Sequence, residues 1–497
     1  MRAPRPISPS IPDRRHDHAQ GTPDQPSGPD LCRCPRGLFV HPQVRRPDLP
    51  AAQDWPQDLQ AAAGEPGLGE DAEKTLRWEE FYRSAPLREV IRLGLENNRD
   101  LRQAVLNVQA YRARYRIQHA DLFPTLEAGA DGSLQRSPAD LSQTGQGHVF
   151  EQYGLDVGTT SYELDLFGRI RSLNSEAMQT YLASEQARRA SQITLVANIA
   201  IAFLTLEIDR QRLDLSQRTL SNYEEALGLV ERGVEVGTAT ELDRRQAATL
   251  VAQTQAEVQR GTRLVATDTN ALRLLVGTTL PEGFDRGFIA DDTILARVPA
   301  GLPAALLQRR PDIMEAEHQL MAANADIGAA RAAFFPQVTL TGSGGTVSDG
   351  VSGLFGNGQG TWSFLPHISL PIFTGGRLKG NLRYAELTRD MRVAAYEKSI
   401  QTAFREVSDG LAARATFGRQ LAAQQREVAS SQGYLDLADK AYRGGVRDYL
   451  VVLDAQRTVF SAQQQYLVDH LAQLTGEIQL YQALGGGWSP QDDATSL

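Results

Sequence analysis

The sequence predicts a mainly α-helical chain with a smaller β part, in which long coiled-coil helices are joined to four strands. Three observations predict it. The chain gives one arrangement of helices, strands and glycine turns twice, which is an internal two-fold repeat. Apolar residues recur with heptad spacing in the long helical segments, as in coiled coils. After each Phe-Pro dipeptide the pattern changes to alternating apolar and polar residues, which indicates strands with two different faces.

The glycine turns show the repeat most clearly. The segment from Tyr442 to Gln456 reads YRGGVRDYLVVLDAQ, in which Gly444 and Gly445 supply a position free to adopt φ > 0 and end a helix. A second copy, GVEVGTATELDRRQA, lies 208 residues upstream, with Gly237 matching Gly445. Each copy predicts the tip of a helical hairpin.

The repeat also covers the helices upstream of the tips. Helical periodicity begins at Pro86 and runs to Phe123-Pro124, where proline ends the segment. The segment from 302 to 336 has the same pattern at an offset of 212, so that its Phe335-Pro336 matches Phe123-Pro124. Pro311 falls in the first turn of the second helix, where its missing N–H costs nothing.

The alternating segments predict four strands, two in each repeat. Their apolar positions are Leu126, Ala128, Ala130 and Leu134, then Tyr153, Leu155 and Val157, then Val338 and Leu340, and finally Trp362, Phe364, Ile368, Leu370 and Ile372. Each strand has roughly ten or more residues, about the length that crosses a bilayer when tilted. The polar, glycine-containing loops 137–150 and 343–360 are predicted to be exposed.

A glycine-arginine turn leads from each strand pair into a long helix, LFGRIRS at 166–172 and IFTGGRLKG at 372–380. Residues 168–232 contain no helix breaker and would span roughly 97 Å as one rod at 1.5 Å per residue. The predicted coiled-coil positions are Ile199, Leu206, Leu213, Leu220 and Leu227 with Val196 and Phe203, and in the second copy Val393, Tyr396, Ile400, Phe404, Val407 and Leu411.

Four strands cannot close a membrane barrel by themselves. The smallest membrane barrels have about eight strands, and an open sheet edge is not tolerated in lipid. Three chains would supply twelve strands, and closed symmetry is the usual way in which such an assembly ends. The sequence therefore predicts a trimeric 12-stranded transmembrane β-barrel that continues into an α-helical coiled-coil barrel.

Composition argues against several classes of function. The 497 residues carry a net charge of −9 without a basic patch, so no nucleic-acid partner is expected. The two cysteines, Cys32 and Cys34, and the scattered histidines do not form a metal or disulfide pattern. No set of nucleophile, base and orienting group indicates an enzyme. Polar residues interrupt the longest apolar region, 193–208, so we expect no transmembrane helix.

These patterns divide the chain into five parts. Residues 1–85 are predicted to be an extended N-terminal segment, and 1–38 lack the apolar core of a secretory signal. We expect residues 1–38 to reflect a shifted reading frame or a misplaced start. The first repeat is predicted at 86–277, a linker at 278–301, the second repeat at 302–487 and a C-terminal tail at 488–497.

The repeated arrangement resembles the TolC-like outer-membrane efflux channel family. The lipoprotein branch that serves resistance-nodulation-division pumps, the NodT type, is most similar, on QRRPDI at 308–313, LPIFTGGR at 370–377 and YRGGVRDYLVVLDAQR at 442–457. The resemblance covers about residues 41–487. It implies a homotrimer in the lipid of the outer membrane that extends into the periplasm. It also implies a periplasmic adaptor and an inner-membrane resistance-nodulation-division pump as partners, and no cofactor.

The same branch begins with a lipidated cysteine a few residues before a segment that HPQVRRP at 41–47 matches here. Counting back places Leu38 where that cysteine would stand. Export and acylation are therefore expected from the resemblance, although residues 1–38 contain neither signal.

The resemblance also assigns roles to residues at the tips. In the family, a tyrosine and an arginine bond neighbouring helices and close the tunnel mouth, and acidic rings face the axis. Tyr442 and Arg447 match the first two, Asp243 matches the acidic partner, and Asp454 matches one of two axial aspartates, the other being Val451 here. The turns at Gly237 and Gly445 are expected to dock the hairpin of an adaptor.

Two other classes of protein remain as alternatives. An enzyme would need a catalytic set that the sequence does not indicate, and a soluble structural coiled coil would leave the four alternating strands unexplained. Within the channel class, drug efflux, heavy-metal efflux and type I protein secretion use similar ducts. The channel sequence does not identify the cargo.

Overall fold

A computed structural model describes residues 76–141, 145–284, 294–298 and 310–488. Several predictions fall outside these residues: most of the extended segment 1–85 with Cys32, Cys34 and Leu38, much of the linker 278–301, and the tail after residue 488. Within the described part, one short helix, Trp78–Phe81, lies in the segment predicted to be extended. It forms because Phe81 is fully buried and stacks on Tyr481, with ring centroids 3.9 Å apart.

The described residues form eight α-helices and four strands. In chain order they are α1 Trp78–Phe81, α2 Ala85–Asn97, α3 Arg99–Ala120, β1 Glu127–Ser137, β2 His148–Leu164, α4 Arg169–Glu235, α5 Glu241–Val276, α6 Pro311–Ala332, β3 Gln337–Ser348, β4 Gly360–Ser369, α7 Arg377–Arg443 and α8 Tyr449–Ala483. The repeat predicted from the sequence is visible in this order: helix, two strands, a long helix, a tip and a returning helix occur twice.

The helix predicted from Pro86 to Phe123 is interrupted at Asn98. Its backbone is extended there (φ −62°, ψ 132°), and its side chain accepts a hydrogen bond from the Leu101 N–H at 2.8 Å, which caps α3. Periodicity alone could not reveal this break, because the apolar positions continue on both sides of it. Pro311 lies at the start of α6, as predicted.

The four strands form one antiparallel sheet in the order β1-β2-β3-β4, so the two repeats meet where β2 pairs with β3. Both predicted loops are shorter than expected. The strand β3 continues through Ser348, across the glycine-rich stretch that was predicted to be loop. Glycine is needed there because a Cβ on Gly345 would lie 2.0 Å from the Leu155 carbonyl oxygen of β2.

The two longest helices, α4 and α7, have 67 residues each and are roughly 100 Å long at 1.5 Å per residue. Each begins after a glycine with positive φ, Gly168 at 82° and Gly376 at 87°. The coiled-coil prediction is correct for the middle of α4, where Ile199 and Leu206 are buried. Towards the tip, Leu213, Leu220 and Leu227 are only half-buried within one chain, and another heptad set of α4 is buried instead: Ser216, Tyr223 and Val230.

The largest apolar core lies midway along the helices. It joins α1 and α2 to the middle of α4, the end of α5 and the end of α8, and it includes Ile294, Leu295, Ala296 and Val298. A smaller cluster joins α6, α7 and α8 around Tyr396 and Ile400, and a third lies near the second tip. One helix of the described part, α4, is long and apolar enough to cross a membrane, but 56% of its most apolar window is buried inside the protein, as in a core helix.

Candidate functional site at the helical tips

The two tips have the same backbone structure. In the first, the Gly237 N–H donates to the Val234 carbonyl at 3.2 Å, and the Thr238 N–H donates to the Gly233 carbonyl at 2.8 Å. In the second, the Gly445 N–H donates to Tyr442 at 2.9 Å and the Val446 N–H donates to Ala441 at 2.9 Å. Both are Schellman motifs, in which the last helical carbonyls are satisfied by a residue in the left-handed region.

The glycine at each tip is required by its backbone rather than by its surroundings. Gly237 has φ 77° and Gly445 has φ 70°, whereas a Cβ on either residue would meet no atom within 4 Å. Residues other than glycine adopt such φ values only at a cost. The prediction that glycine ends the helices at φ > 0 is therefore confirmed.

The tips differ in how their second helices begin. At the start of α5, Thr240 and Asp243 form a reciprocal capping box: the Asp243 N–H donates to Thr240 Oγ1, and the Thr240 N–H donates to Asp243 Oδ2 at 2.8 Å. At the start of α8, Asp448 makes no such side-chain bond. The predicted site residue Asp243 thus already stabilises its own helix, through Oδ2.

Tyr442 lies in the last turn of α7 and is 40% exposed. Its ring contacts that of Tyr449, the first residue of α8, at a centroid distance of 4.8 Å and an angle of 60°. Edge-to-face packing of this kind is favourable for aromatic rings. The two tyrosines therefore connect the helices on either side of the turn.

Arg447 and Asp454 are both exposed on the second tip. Asp454 is paired with Arg457 on its own helix at 2.6 Å. Among the described residues, Arg447 makes no hydrogen bond or ion pair with Asp243 or Asp454. A single chain thus brings Tyr442, Arg447 and Asp454 to one tip but does not join them to Asp243 on the other.

The sequence reasoning did not identify two tyrosines near the second tip. Tyr223 on α4 is 3% exposed, and burial raises its pKa to about 12. Burial also raises the pKa of Tyr449 to about 12, with smaller contributions from Tyr442, Asp439 and Tyr223. One sequence signal could have identified Tyr223: it stands seven residues from Ser216 and from Val230, so the three share one face of the helix.

At the other end of the chain, the sheet presents a continuous apolar face. Strand register places Ala128, Val157, Gly344 and Trp362 in one row across all four strands. Trp362 is 81% exposed and Val157 is 56% exposed. In a chain without a partner, such a row of exposed apolar side chains indicates a surface that contacts lipid or protein.

The described residues contain no cluster of three or more His, Cys, Asp or Glu residues that could hold a metal ion.

Comparison with known proteins links this geometry to one group of proteins. A family model described as outer membrane efflux protein matches residues 90–278 and 302–486. Two relatives from Pseudomonas putida are each 50% identical over 456 residues, which are 92% of this chain and 94% of theirs: the toluene efflux pump outer membrane protein TtgC and the antibiotic efflux pump outer membrane protein ArpC.

A solved structure is also similar. The open state of the MtrE outer membrane channel from Neisseria gonorrhoeae is 35% identical to this chain, with a TM-score of 0.80. The match covers 90% of this chain and 98% of that one. The similarity therefore includes both the strands and the helical tips.

Proposed function

This chain belongs to the outer membrane efflux protein family, and we infer from that membership that it works as a trimer with a periplasmic adaptor and an inner-membrane pump. It is an outer-membrane channel of an efflux pump, as its relatives are, and the predicted fold class is correct. The family consists of channels rather than enzymes.

The observation that supports a barrel shared between chains is the open sheet, and the number of three chains is inferred from membership of the family. Among the described residues, β1 and β4 each have one edge without a strand partner, and nearly all of their residues are exposed. An open edge in lipid would leave backbone N–H and C=O groups without hydrogen bonds. Three chains pairing β4 of one with β1 of the next would satisfy every edge and give a barrel of twelve strands.

The apolar row that contains Val157 and Trp362 would then face the lipid. Trp362, near the start of β4, has the amphipathic ring that is common where a membrane meets water. Membrane insertion thus accounts for large exposed side chains that a water-soluble chain would not retain.

The trimer can be tested by mass in detergent. The purified protein should have about three times the mass of one 54.4 kDa chain, less any cleaved segment. A stable monomeric pore would exclude the shared barrel.

For the cargo, the relatives indicate apolar or amphipathic toxic solutes, because one is named for toluene and another for antibiotics. Heavy-metal efflux and type I protein secretion are the alternatives. Expression in a Gram-negative strain that lacks its own efflux channels, together with a matching pump and adaptor, should restore resistance to solvents and hydrophobic antibiotics. Restored tolerance to metal ions alone would favour the first alternative, and export of a protein would favour the second.

At the tips we assign the gate to Tyr442, Arg447, Asp243 and Asp454. Both bonds that the Asp243 carboxylate accepts from Thr240 use Oδ2, so Oδ1 can accept a hydrogen bond from an arginine or a phenol of another helix. Arg447 is exposed and has five N–H donors for such a bond. Three Asp454 carboxylates around one axis would attract cations.

Adaptor docking is assigned to the turns at Gly237 and Gly445. Both turns are exposed, and the apolar side chains beside them are largely exposed as well, including Val236 at 74% and Val446 at 75%. Small residues next to exposed apolar ones offer a surface on which the tip of a helical hairpin can pack.

A further inference from the structure

The two tips share a backbone structure but use different side chains at equivalent places. Tyr449 begins α8, and the residue 208 positions earlier, Glu241, begins α5. Glu241 bonds to Arg244, which is half-buried, and to Arg245, which is exposed, both on its own helix. Tyr449 instead turns inward and contacts an aromatic ring. The second tip is therefore the one in which ring packing holds the turn.

Helix capping does not take this role at the second tip. Substituting the polar N-cap residue of a helix typically costs about 1 kcal/mol, because its side chain satisfies a free N–H group. The capping box of Thr240 and Asp243 supplies that stabilisation to α5, whereas the Asp448 side chain makes no capping bond for α8. Packing of Tyr449, together with burial of Val452 in the same turn, therefore fixes the first turn of α8.

Tyr449 lies between the exposed mouth and the interior. On one side its ring contacts Tyr442, which is 40% exposed. On the other side it packs against an apolar cluster of α7 and α8 formed by Ala438, Val452 and Ala455. All three cluster residues are less than 5% exposed, so the ring has a rigid support.

The same region extends to the first hairpin. Tyr223 on α4 is 3% exposed. The helices α4 and α8 bond directly farther from the tip, where the Arg212 Nε donates to Gln464 Oε1 at 2.8 Å.

We propose that Tyr449 is a positioning residue of the channel mouth, whose ring holds Tyr442 in place against the buried cluster of Ala438, Val452 and Ala455. The inference rests on the proposed gate function of Tyr442. An aromatic pair contributes enough to change the ratio of two conformations roughly two- to tenfold. Loss of the Tyr449 ring should therefore shift the mouth towards open by that factor.

Single-channel recording of the full-length protein in planar lipid bilayers tests the proposal. Tyr449→Ala should raise the open fraction or the conductance, whereas Tyr449→Phe should behave like the parent because it retains the ring. Tyr449→Ala combined with Tyr442→Ala should give no more than the larger single effect, since both changes remove the same contact. Glu241→Ala, at the equivalent place of the first tip, should leave conductance unchanged.

Trimer formation is checked first on native gels. If Tyr449→Ala fails to assemble, Tyr449→Leu keeps apolar volume without a flat ring and should show the same rise in conductance. Parental conductance in the Ala or Leu variant that assembles would overturn the proposal, as would an equal rise with Tyr449→Phe. Arg447→Ser distinguishes failure of this inference from failure of the proposed gate. If conductance rises in Arg447→Ser but not in the Tyr449 variants, only the positioning role of Tyr449 is contradicted. No effect at either residue in a conducting channel contradicts the proposed gate itself.

Discussion

Asn98 and Arg310 occupy equivalent positions in the two repeats and bond to equivalent helix ends. The Asn98 Nδ2 donates to the Leu275 carbonyl at 2.8 Å, and the Arg310 Nη1 donates to the Ala483 carbonyl at 2.7 Å. Leu275 and Ala483 are 208 residues apart, near the ends of α5 and α8. Each repeat thus ties the start of a short helix to the far end of its tip hairpin, with a neutral amide in one case and a buried cation in the other.

Because Arg310 is a buried cation, its replacement should lower the free energy of unfolding more than replacement of an exposed arginine. Arg310 is 8% exposed and also binds Asp312 at 2.7 Å and Glu406 at 2.9 Å. Arg310→Met should lower the free energy of unfolding by about 2 kcal/mol or more, because two carboxylates lose their shared partner. Arg405→Met is the control, since its pair with Asp409 is well exposed and should contribute under ~1 kcal/mol. Urea unfolding followed by circular dichroism measures both, and equal losses would contradict the assignment.

At the second tip, backbone conformation alone should decide which substitutions are tolerated. Gly445→Val places a β-branched residue at φ 70°, at a cost of about 1–2 kcal/mol or more, and should abolish pump-dependent resistance while trimers still form. Gly445→Asn should retain resistance, because asparagine visits the left-handed region. Resistance assays with a matched pump and adaptor measure the difference. Full resistance in Gly445→Val would show that the turn at Gly445 is not part of the adaptor-docking site.

In the sheet, two adjacent glycines make opposite predictions. A Cβ on Gly345 would lie 2.0 Å from the Leu155 carbonyl oxygen, whereas a Cβ on Gly344 would meet nothing within 4 Å. Gly345→Ala should therefore reduce the yield of assembled trimer in the outer membrane, and Gly344→Ala should not. Heat-resistant trimer on gels is the measurement, and equal yields would show that β2 and β3 do not approach as described.

A pair of carboxyl groups between α4 and α5 predicts a pH dependence. Burial, followed by the hydrogen bond to Asp209 and the charge of that residue, raises the pKa of Asp268 to about 6. Asp209 is also bonded by Arg212 at 2.8 Å. The unfolded pKa of an aspartate is near 3.9. The folded state therefore binds the extra proton, and this stabilisation is present below about pH 4 and lost as pH rises through 6.

Asp268→Asn should remove the loss of folding stability that the parent shows as pH rises through 6. Relative to the parent, the variant should gain stability between about pH 4.5 and pH 7.5 in urea unfolding experiments, because the amide cannot ionise. Asp454→Asn, which removes an exposed carboxylate paired with Arg457, is the control variant. A constant difference between parent and Asp268→Asn at both pH values would argue against the raised pKa.

Much of the fold could be predicted from the sequence, because each element depends on a local pattern. Heptads indicated the 67-residue helices, alternation indicated the four strands, and glycines at fixed offsets indicated both tips. The break at Asn98 was missed because the apolar period continues across it; its local cause is the bond from the Leu101 N–H, and the bond to Leu275, 177 residues away, is not visible in any local pattern. Strand β3 was predicted too short for a similar reason: its glycines resemble a loop until the neighbouring strand β2 is in place.

The candidate site was less accessible to sequence reasoning. Glycine chemistry predicted the turns at Gly237 and Gly445, and the family resemblance indicated Tyr442, Arg447, Asp243 and Asp454. The spacing of Thr240 and Asp243 is a local capping-box signature that the sequence analysis did not use. Packing of Tyr442 on Tyr449 could not be predicted, because it depends on how the turn closes. Contacts between neighbouring chains could not be predicted either. Such a contact joins the tip of one chain to a different surface of the next chain, and the sequence pattern of one tip does not identify that second surface.

The gate at the tips is tested most directly by the conductance of one double variant in planar lipid bilayers. Arg447→Ser with Tyr442→Phe removes the charged donor and the phenolic hydroxyl, each able to bond a neighbouring helix. Losing one side of a charged hydrogen bond costs about 1.5–3 kcal/mol, which shifts a closed population roughly tenfold or more towards open. The double variant should therefore conduct more than the parent while forming the same trimer. Conductance equal to that of the parent would place the gate elsewhere in the channel.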